Sequence, residues 1–211
     1  MTGGDRFSWD IEVGDAASAI LTTQACEKVY RADAGHAEVA ARLTVGAGAR
    51  LDWLPQETIL FERSALHRTI DAEVAADGRL LLAESVVLGR RAMGETLTRA
   101  DFHDRWRVRR DGRLLFADDL RLVGDIQALT RSGPLLGGAG AFATLLLVAP
   151  DADDALDAVR AAIGPLGGAS ALDGKLVCRI AAPDGLALRR VLLPALAALS
   201  GGRPGPSGWT L

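Results

Sequence analysis

The sequence predicts a mainly β protein, an elongated stack of β-hairpin repeats with two C-terminal helices packed on the sheet. Three observations predict it. Apolar residues alternate strictly at Phe7, Trp9, Ile11, Val13 and again at Val39, Ala41, Leu43, Val45, the period of a half-buried strand. Each run ends in a turn that recurs down the chain, so that Val13, Val45, Val74 and Val108 stand 32, 29 and 34 residues apart. From Gly133 onward the pattern changes to strand, helix, strand, helix. One domain is expected over residues 1–211, with a β-repeat region at 1–132 and a second region at 133–211.

The repeats justify the stack. Val13-Gly14-Asp15-Ala16-Ala17 corresponds to Val45-Gly46-Ala47-Gly48-Ala49, and Asp77-Gly78-Arg79-Leu80-Leu81 recurs outright as Asp111-Gly112-Arg113-Leu114-Leu115. Units of about 30 residues are too small to bury an apolar face alone and must stack. Within the second unit, Trp53-Leu54-Pro55-Gln56-Glu57 precedes the apolar Thr58-Ile59-Leu60-Phe61. Pro55 removes a ladder donor, which marks a specialised edge or bulge.

In the last third, Gly133 to Gly140 is a breaker-rich connection, and Phe142 to Ala149 reads as a buried strand. Asp151, Asp153 and Asp154 then supply acidic caps for a helix whose Leu156, Val159 and Ile163 share one face, ended by Gly164-Pro165. Lys175 to Ala182 is a second strand. Pro183-Asp184-Gly185 opens the final helix, carrying Leu188, Val191, Leu192, Ala195 and Leu199 and interrupted or kinked near Pro194.

Composition narrows the function. A chain of 211 residues with 49% hydrophobic residues can bury a core, and a net charge of -3 gives no basic footprint for nucleic acid. Cys26 and Cys178 lie far apart without a Cys-x-x-Cys companion, so they are expected as free thiols. The apolar run 142–149 is too short to span a bilayer, and the first residues carry neither a basic nor an apolar leader. A cytoplasmic protein is expected, with no membrane partner.

No enzyme signature survives its context. His36-Ala37-Glu38 lacks the cysteine half of a deaminase zinc site, and Gly137, Gly138 and Gly140 precede a strand with no Gly-Lys-Ser/Thr attached. No Gly-x-Ser-x-Gly elbow occurs, and His36, His67 and His103 are scattered, reading as surface residues. No catalytic residue is assigned. Glu84 and Asp118 are more informative, since each lies ten residues after a repeat valine, and alternation puts them on the faces of Leu80 and Leu82 and of Leu114 and Phe116. A carboxylate on an apolar face must be paired, solvated or bound to a cation. Two readings stand: an ion pair with Arg90, Arg91 or Arg113, or a wet internal passage to which Thr23, Gln24 and Gln56 contribute neutral oxygen or amide groups.

Five segments, in order, resemble the urease accessory proteins called UreD or UreH: Gly3-Gly4-Asp5-Arg6; Leu21 to Ala25 leading into Lys28-Val29-Tyr30-Arg31; Trp53 to Glu57; Leu88 to Glu95; and Arg105 to Asp119. The last third is less similar. The resemblance implies a non-enzymatic chaperone that binds apo-urease and, with UreF and the GTPase UreG, helps deliver nickel. It implies no permanent cofactor, only transient nickel(II). On the family's motifs Asp5, Glu84 and Asp118 are the candidate nickel path, joined by Thr22, Thr23 and Gln24. Trp53, Pro55, Gln56 and Glu57, with Gly89, Arg90, Gly94 and Glu95, are family motif positions, the last four read as a turn held by a local Arg-Glu pair. The family carries several strands ahead of Gly-Gly-Asp, so this chain is expected to lack them and to expose an unpaired edge. The alternatives are a metal-independent β-repeat adaptor and an enzyme using Glu84 and Asp118 as an acid/base pair.

Overall fold

The computed structural model describes residues 1–90, 94–133, 135–203 and 205–209. Arg91, Ala92, Met93 and Pro134, which belong to two of the segments above, lie outside the described residues. The strands are β1 (Arg6–Val13), β2 (Ser18–Leu21), β3 (Glu27–Val29), β4 (Ala37–Val45), β5 (Arg50–Trp53), β6 (Thr58–Leu60), β7 (Ser64–Val74), β8 (Arg79–Leu88), β9 (Arg99–Arg110), β10 (Arg113–Asp125), β11 (Ala141–Val148), β12 (Gly167–Leu172) and β13 (Lys175–Ala182). The α-helices are α1 (Ile126–Arg131), α2 (Leu156–Ile163) and α3 (Gly185–Leu199).

Alternation in the sequence produces two sheets that share one interior. Sheet one runs β1-β4-β7-β9-β10, and sheet two runs β12-β13-β11-β8-β5-β2, with β6 also on β8 and β3 on β6. The chain passes from one sheet to the other at each of its first turns, and each coil lies parallel to the one before. The mainly β, solenoid-like stack with C-terminal helices is therefore present. Its early units close by crossing between the sheets, whereas β9 and β10 form an antiparallel hairpin inside sheet one.

Register tests the repeat directly. Val13 faces Val45 and Val45 faces Val74, matching the first two spacings. The third departs: Val74 faces Arg110, and Val108 faces Ala72. The recurring Asp-Gly-Arg-Leu-Leu is offset by two residues in space, because β9 turns back within its own sheet. β1 and β10 are the outer strands of sheet one, and Phe7 and Trp9 of β1 are 47% and 42% exposed.

The outer face of sheet two is the floor for the helices. Leu81, Ala83, Leu145, Leu147, Cys178 and Ile180 pack with Val159 and Ile163 of α2 and with Leu188, Leu192, Ala195 and Leu199 of α3. Full burial of each such leucine contributes about 2 kcal/mol. Asp184 caps α3 by accepting from the Ala187 amide at 2.8 Å, and the helix continues through Pro194 without interruption. The acidic run before α2 does not cap it: residues 152–155 form a 3-10 turn, and Asp151 instead meets Arg79 at 2.5 Å. The short α1, capped by Asp125 on the Ala128 amide, and the strand β12 are additions to the expected elements.

Candidate functional site

Between the two sheets, the apolar interior is divided in two by a polar layer. One cluster holds Ile70, Leu82, Trp106 and Leu146, and the other holds Leu66, Val86, Phe102 and Phe142. Inward residues two apart on β7, β8, β9 and β11 therefore bracket Arg68, Glu84, Asp104 and Thr144, each buried. On β10 the residue opposite Asp104 is Leu120, and Asp118 stands one inward step away, opposite Trp106. Glu84 faces Thr144, which in turn faces Arg179 of β13. Arg179 closes the layer by an ion pair to Asp118 at 2.7 Å.

Arg68 is the hub. Its Nε and Nη2 donate to the two Asp104 carboxylate oxygens at 3.0 and 2.6 Å, while Nη1 donates to Glu84 and, at 3.2 Å, to the Thr58 hydroxyl. The bonds join both sheets. Two indoles complete the carboxylates: Trp53 Nε1 donates to Glu84 and Trp106 Nε1 to Asp104, each at 3.0 Å. Thr58 also reaches Glu27 at 3.5 Å.

The electrostatics are unbalanced toward negative charge. Burial pushes the Glu84 carboxyl up to about 7; Arg68 and the Trp53 bond oppose the rise, and the Asp104 and Glu27 charges add to it. For Arg68, burial disfavours the cation, but Asp104 and Glu84 outweigh it and its pKa rises. The guanidinium stays charged, and burial disfavours the carboxylate form of Glu84. Replacing one member would leave a buried ion unpaired, at a cost of roughly 3 to 5 kcal/mol.

Trp53 to Glu57 ties this layer to the C-terminus. Strand pairing along β8 stops after Trp53 and resumes at Thr58, so residues 54–57 bulge as Pro55 requires. Their polar groups turn to α3 and the tail. Arg189 meets Glu57 at 3.0 Å and Gln56 at 2.8 Å, and Gln56 donates to the Gly208 carbonyl at 2.9 Å. The Trp209 indole donates to the Leu54 carbonyl and to Thr22. Cys26 donates to Glu57 at 3.4 Å, and burial with the Glu57 charge raises its thiol pKa. Both cysteines are free, and burial raises the Cys178 thiol to about 11.

The candidate residues separate into three places. Glu84 belongs to the layer, whereas Asp118 stands at its rim on the opposite sheet, one inward step away, and the two are held by different arginines. Neither partner is one of those nearest in sequence: Arg68 takes Glu84 and Arg179 takes Asp118. Thr23 accepts from the Gln56 amide at 2.9 Å beside the bulge, while Thr22 and Gln24 are exposed nearby. Asp5 is apart, its carboxylate accepting from the Thr2 amide in the turn before β1. In that turn a Cβ on Gly3 would stand 2.0 Å from the Ala34 carbonyl, which excludes any side chain there. Arg90 pairs with Glu95 at 2.9 Å between Gly89 and Gly94, the expected local pair, and covers the Phe61 ring.

The histidines are a correction. His36 stacks on His67 with centroids 3.7 Å apart, and His103 meets His67 edge-on at 5.6 Å. Register brings them together, since Glu38 faces His67 and His67 faces His103. Each also meets its own carboxylate: Glu38, Asp101 and Asp119. Among the described residues no set of three or more His, Cys, Asp or Glu converges to hold a metal ion. Arg68 and Asp104 are site residues that the sequence signals only weakly, through a charge between inward apolar residues, as in Leu66-x-Arg68-x-Ile70 and Phe102-x-Asp104-x-Trp106.

A family model described as UreD urease accessory protein matches residues 1–209. The chain belongs to that family. It is 51% identical over 212 residues to the urease accessory protein UreD of Rhizobium leguminosarum bv. viciae, an alignment spanning all of this chain and 78% of the relative. With the corresponding proteins of Mesorhizobium japonicum and Agrobacterium fabrum (strain C58) it shares 50% and 47%, covering 77% and 74% of those chains. Membership gives it a role in urease maturation. Among the described residues no helix is long and apolar enough to cross a membrane.

Proposed function

We propose that this chain is a non-catalytic, cytoplasmic chaperone and scaffold that binds apo-urease together with UreF and UreG, and that its polar layer passes nickel(II) toward the urease site. The observation that carries the reading is the layer itself. Glu27, Glu84 and Asp104 surround a single guanidinium, Thr58 and Thr144 add hydroxyl oxygens, and Asp118 stands half-buried at the rim. Burying this much acid is costly for a fold that needs only stability. Carboxylate and hydroxyl oxygens bind a divalent ion without the grip of thiolates, which suits transfer. Nickel is cargo in this reading and not a resident cofactor.

Thr22, Thr23 and Gln24 stand beside the bulge at one side of the layer, and Asp118 stands at the other. The test is co-expression with a urease operon lacking its own UreD, using Glu84→Gln and Asp118→Asn. A lower nickel content in the urease per recovered complex is expected. Full loading by both variants would leave the metal-independent adaptor as the surviving reading.

A further inference from the structure

We infer that Arg68 is the barrier of the polar layer: its guanidinium fills the space between the carboxylates of the two sheets and sets the rate at which a divalent cation crosses. The inference rests on the nickel-path reading of the layer and adds the element that controls it.

Arg68 stands on β7, the middle strand of sheet one, and reaches Glu84 on β8 in the interior of sheet two. Polar groups lie on both sides of it. Thr23, Gln56 and Glu57 occupy the side of the bulge, and Thr144, Arg179 and Asp118 the side of β10 and β13. A cation moving between them meets a side chain of its own sign, 3% exposed and bonded to both sheets. An arginine cannot yield by losing its proton, as a lysine could. It yields only by moving.

One feature allows that movement without collapse of the layer. The Trp53 and Trp106 indoles donate to Glu84 and Asp104 independently of Arg68, so each carboxylate keeps a donor when the guanidinium leaves. The Phe102 ring, 5.7 Å from the Arg68 guanidinium carbon, adds an aromatic contact to the resting cation.

The experiment compares Arg68→Lys, Arg68→Gln and Asp104→Asn with wild type in the complex with urease, recording complex yield and the initial rate of nickel incorporation per recovered complex. Lysine keeps the charge but cannot span Asp104, Glu84 and Thr58 together, and Asp104→Asn weakens the bidentate hold. The expected result is an incorporation rate raised about threefold or more in any variant recovered at wild-type yield. A purely structural role lowers yield and cannot raise the rate per complex. Unchanged or slower incorporation at equal yield overturns the barrier, as does failure to recover all three variants, which would make the cluster a structural one. Glu84→Gln in the same series separates the path from its barrier: wild-type loading by that variant removes the path itself, while slowed loading with no acceleration by Arg68→Lys removes the barrier alone.

Discussion

Asp77-Gly78-Arg79-Leu80-Leu81 and Asp111-Gly112-Arg113-Leu114-Leu115 are the same five residues, yet they send the chain to different places. At the second copy Asp111 and Gly112 take φ of 49° and 73°, a two-residue turn that returns β10 antiparallel to β9 in the same sheet. At the first, neither Asp77 nor Gly78 is left-handed, and the chain crosses to sheet two, where β8 pairs in parallel with β5. Leu80 and Leu81 are wholly buried, whereas Leu114 is 52% exposed. The strand leaving each turn decides its course. In β8 both faces are apolar, with Leu80 and Leu82 inward and Leu81 and Ala83 under the helices, so it is worth most as a central strand. In β10 the outward positions include Asp119 and Arg121, which fit an edge. The Asp-Gly pair permits either course, and burial selects between them.

The largest effect that would sharpen this contrast lies in the coil beside β8. Trp53→Ala removes a buried indole and the donor to Glu84, and should cost roughly 3 to 5 kcal/mol in urea denaturation. A midpoint indistinguishable from wild type would mean that the β8 side of the comparison is not the stability core. Next, Leu81→Ala should cost about 2 to 4 kcal/mol, while its counterpart Leu115→Ala, on the partly exposed strand, should cost clearly less. Equal losses would break the comparison. At the turns themselves, Gly112→Ala should cost about 1 kcal/mol because of its left-handed φ, and Gly112→Asn should recover much of that. At Gly78 the opposite order is expected, because a side chain there meets the Gly46 carbonyl at 3.1 Å and the longer asparagine fits worse.

The last effect is one of slope. With its folded pKa raised from 4.5 to about 7, Glu84 binds its proton more tightly in the folded chain. Its contribution is therefore full below about pH 4.5 and is lost as pH rises through 7. Glu84→Gln should improve relative to wild type across that interval, measured as the difference in Tm from pH 4.5 to 8. A constant difference would show that the Arg68 pair cancels the cost of burial.

Much of the fold was legible because alternation is local. β1, β4, β11, β13 and the faces of α2 and α3 follow from apolar spacing alone. β2, β3 and β6 are only three or four residues long, and β12 is built largely of small residues, so none of them carries a period strong enough to see. Glu84 and Asp118 were found through a repeat equivalence that the register does not keep, since one lies on each sheet. Both interrupt an inward apolar row, but Glu84 lies in the layer and Asp118 at its rim. The histidines required the coil lengths: His36, His67 and His103 meet only once steps of 31 and 36 residues are known to be single coils. Nothing near any one of them announces that.

Splitting the interior into two apolar compartments has a mechanical consequence. β7, β8, β9 and β11 run through both, but side chains in one compartment touch those in the other across a seam of oriented, hydrogen-bonded charge. Such a seam resists compression and does not interdigitate as hydrocarbon does. A volume change at Ile70 should therefore be absorbed among Leu82, Trp106 and Leu146 and be little felt at Leu66 or Phe102, although these stand only one inward position beyond Arg68 and Asp104. The two halves can be repacked independently, and sequence drift in one need not be answered in the other so long as the seam keeps its partners.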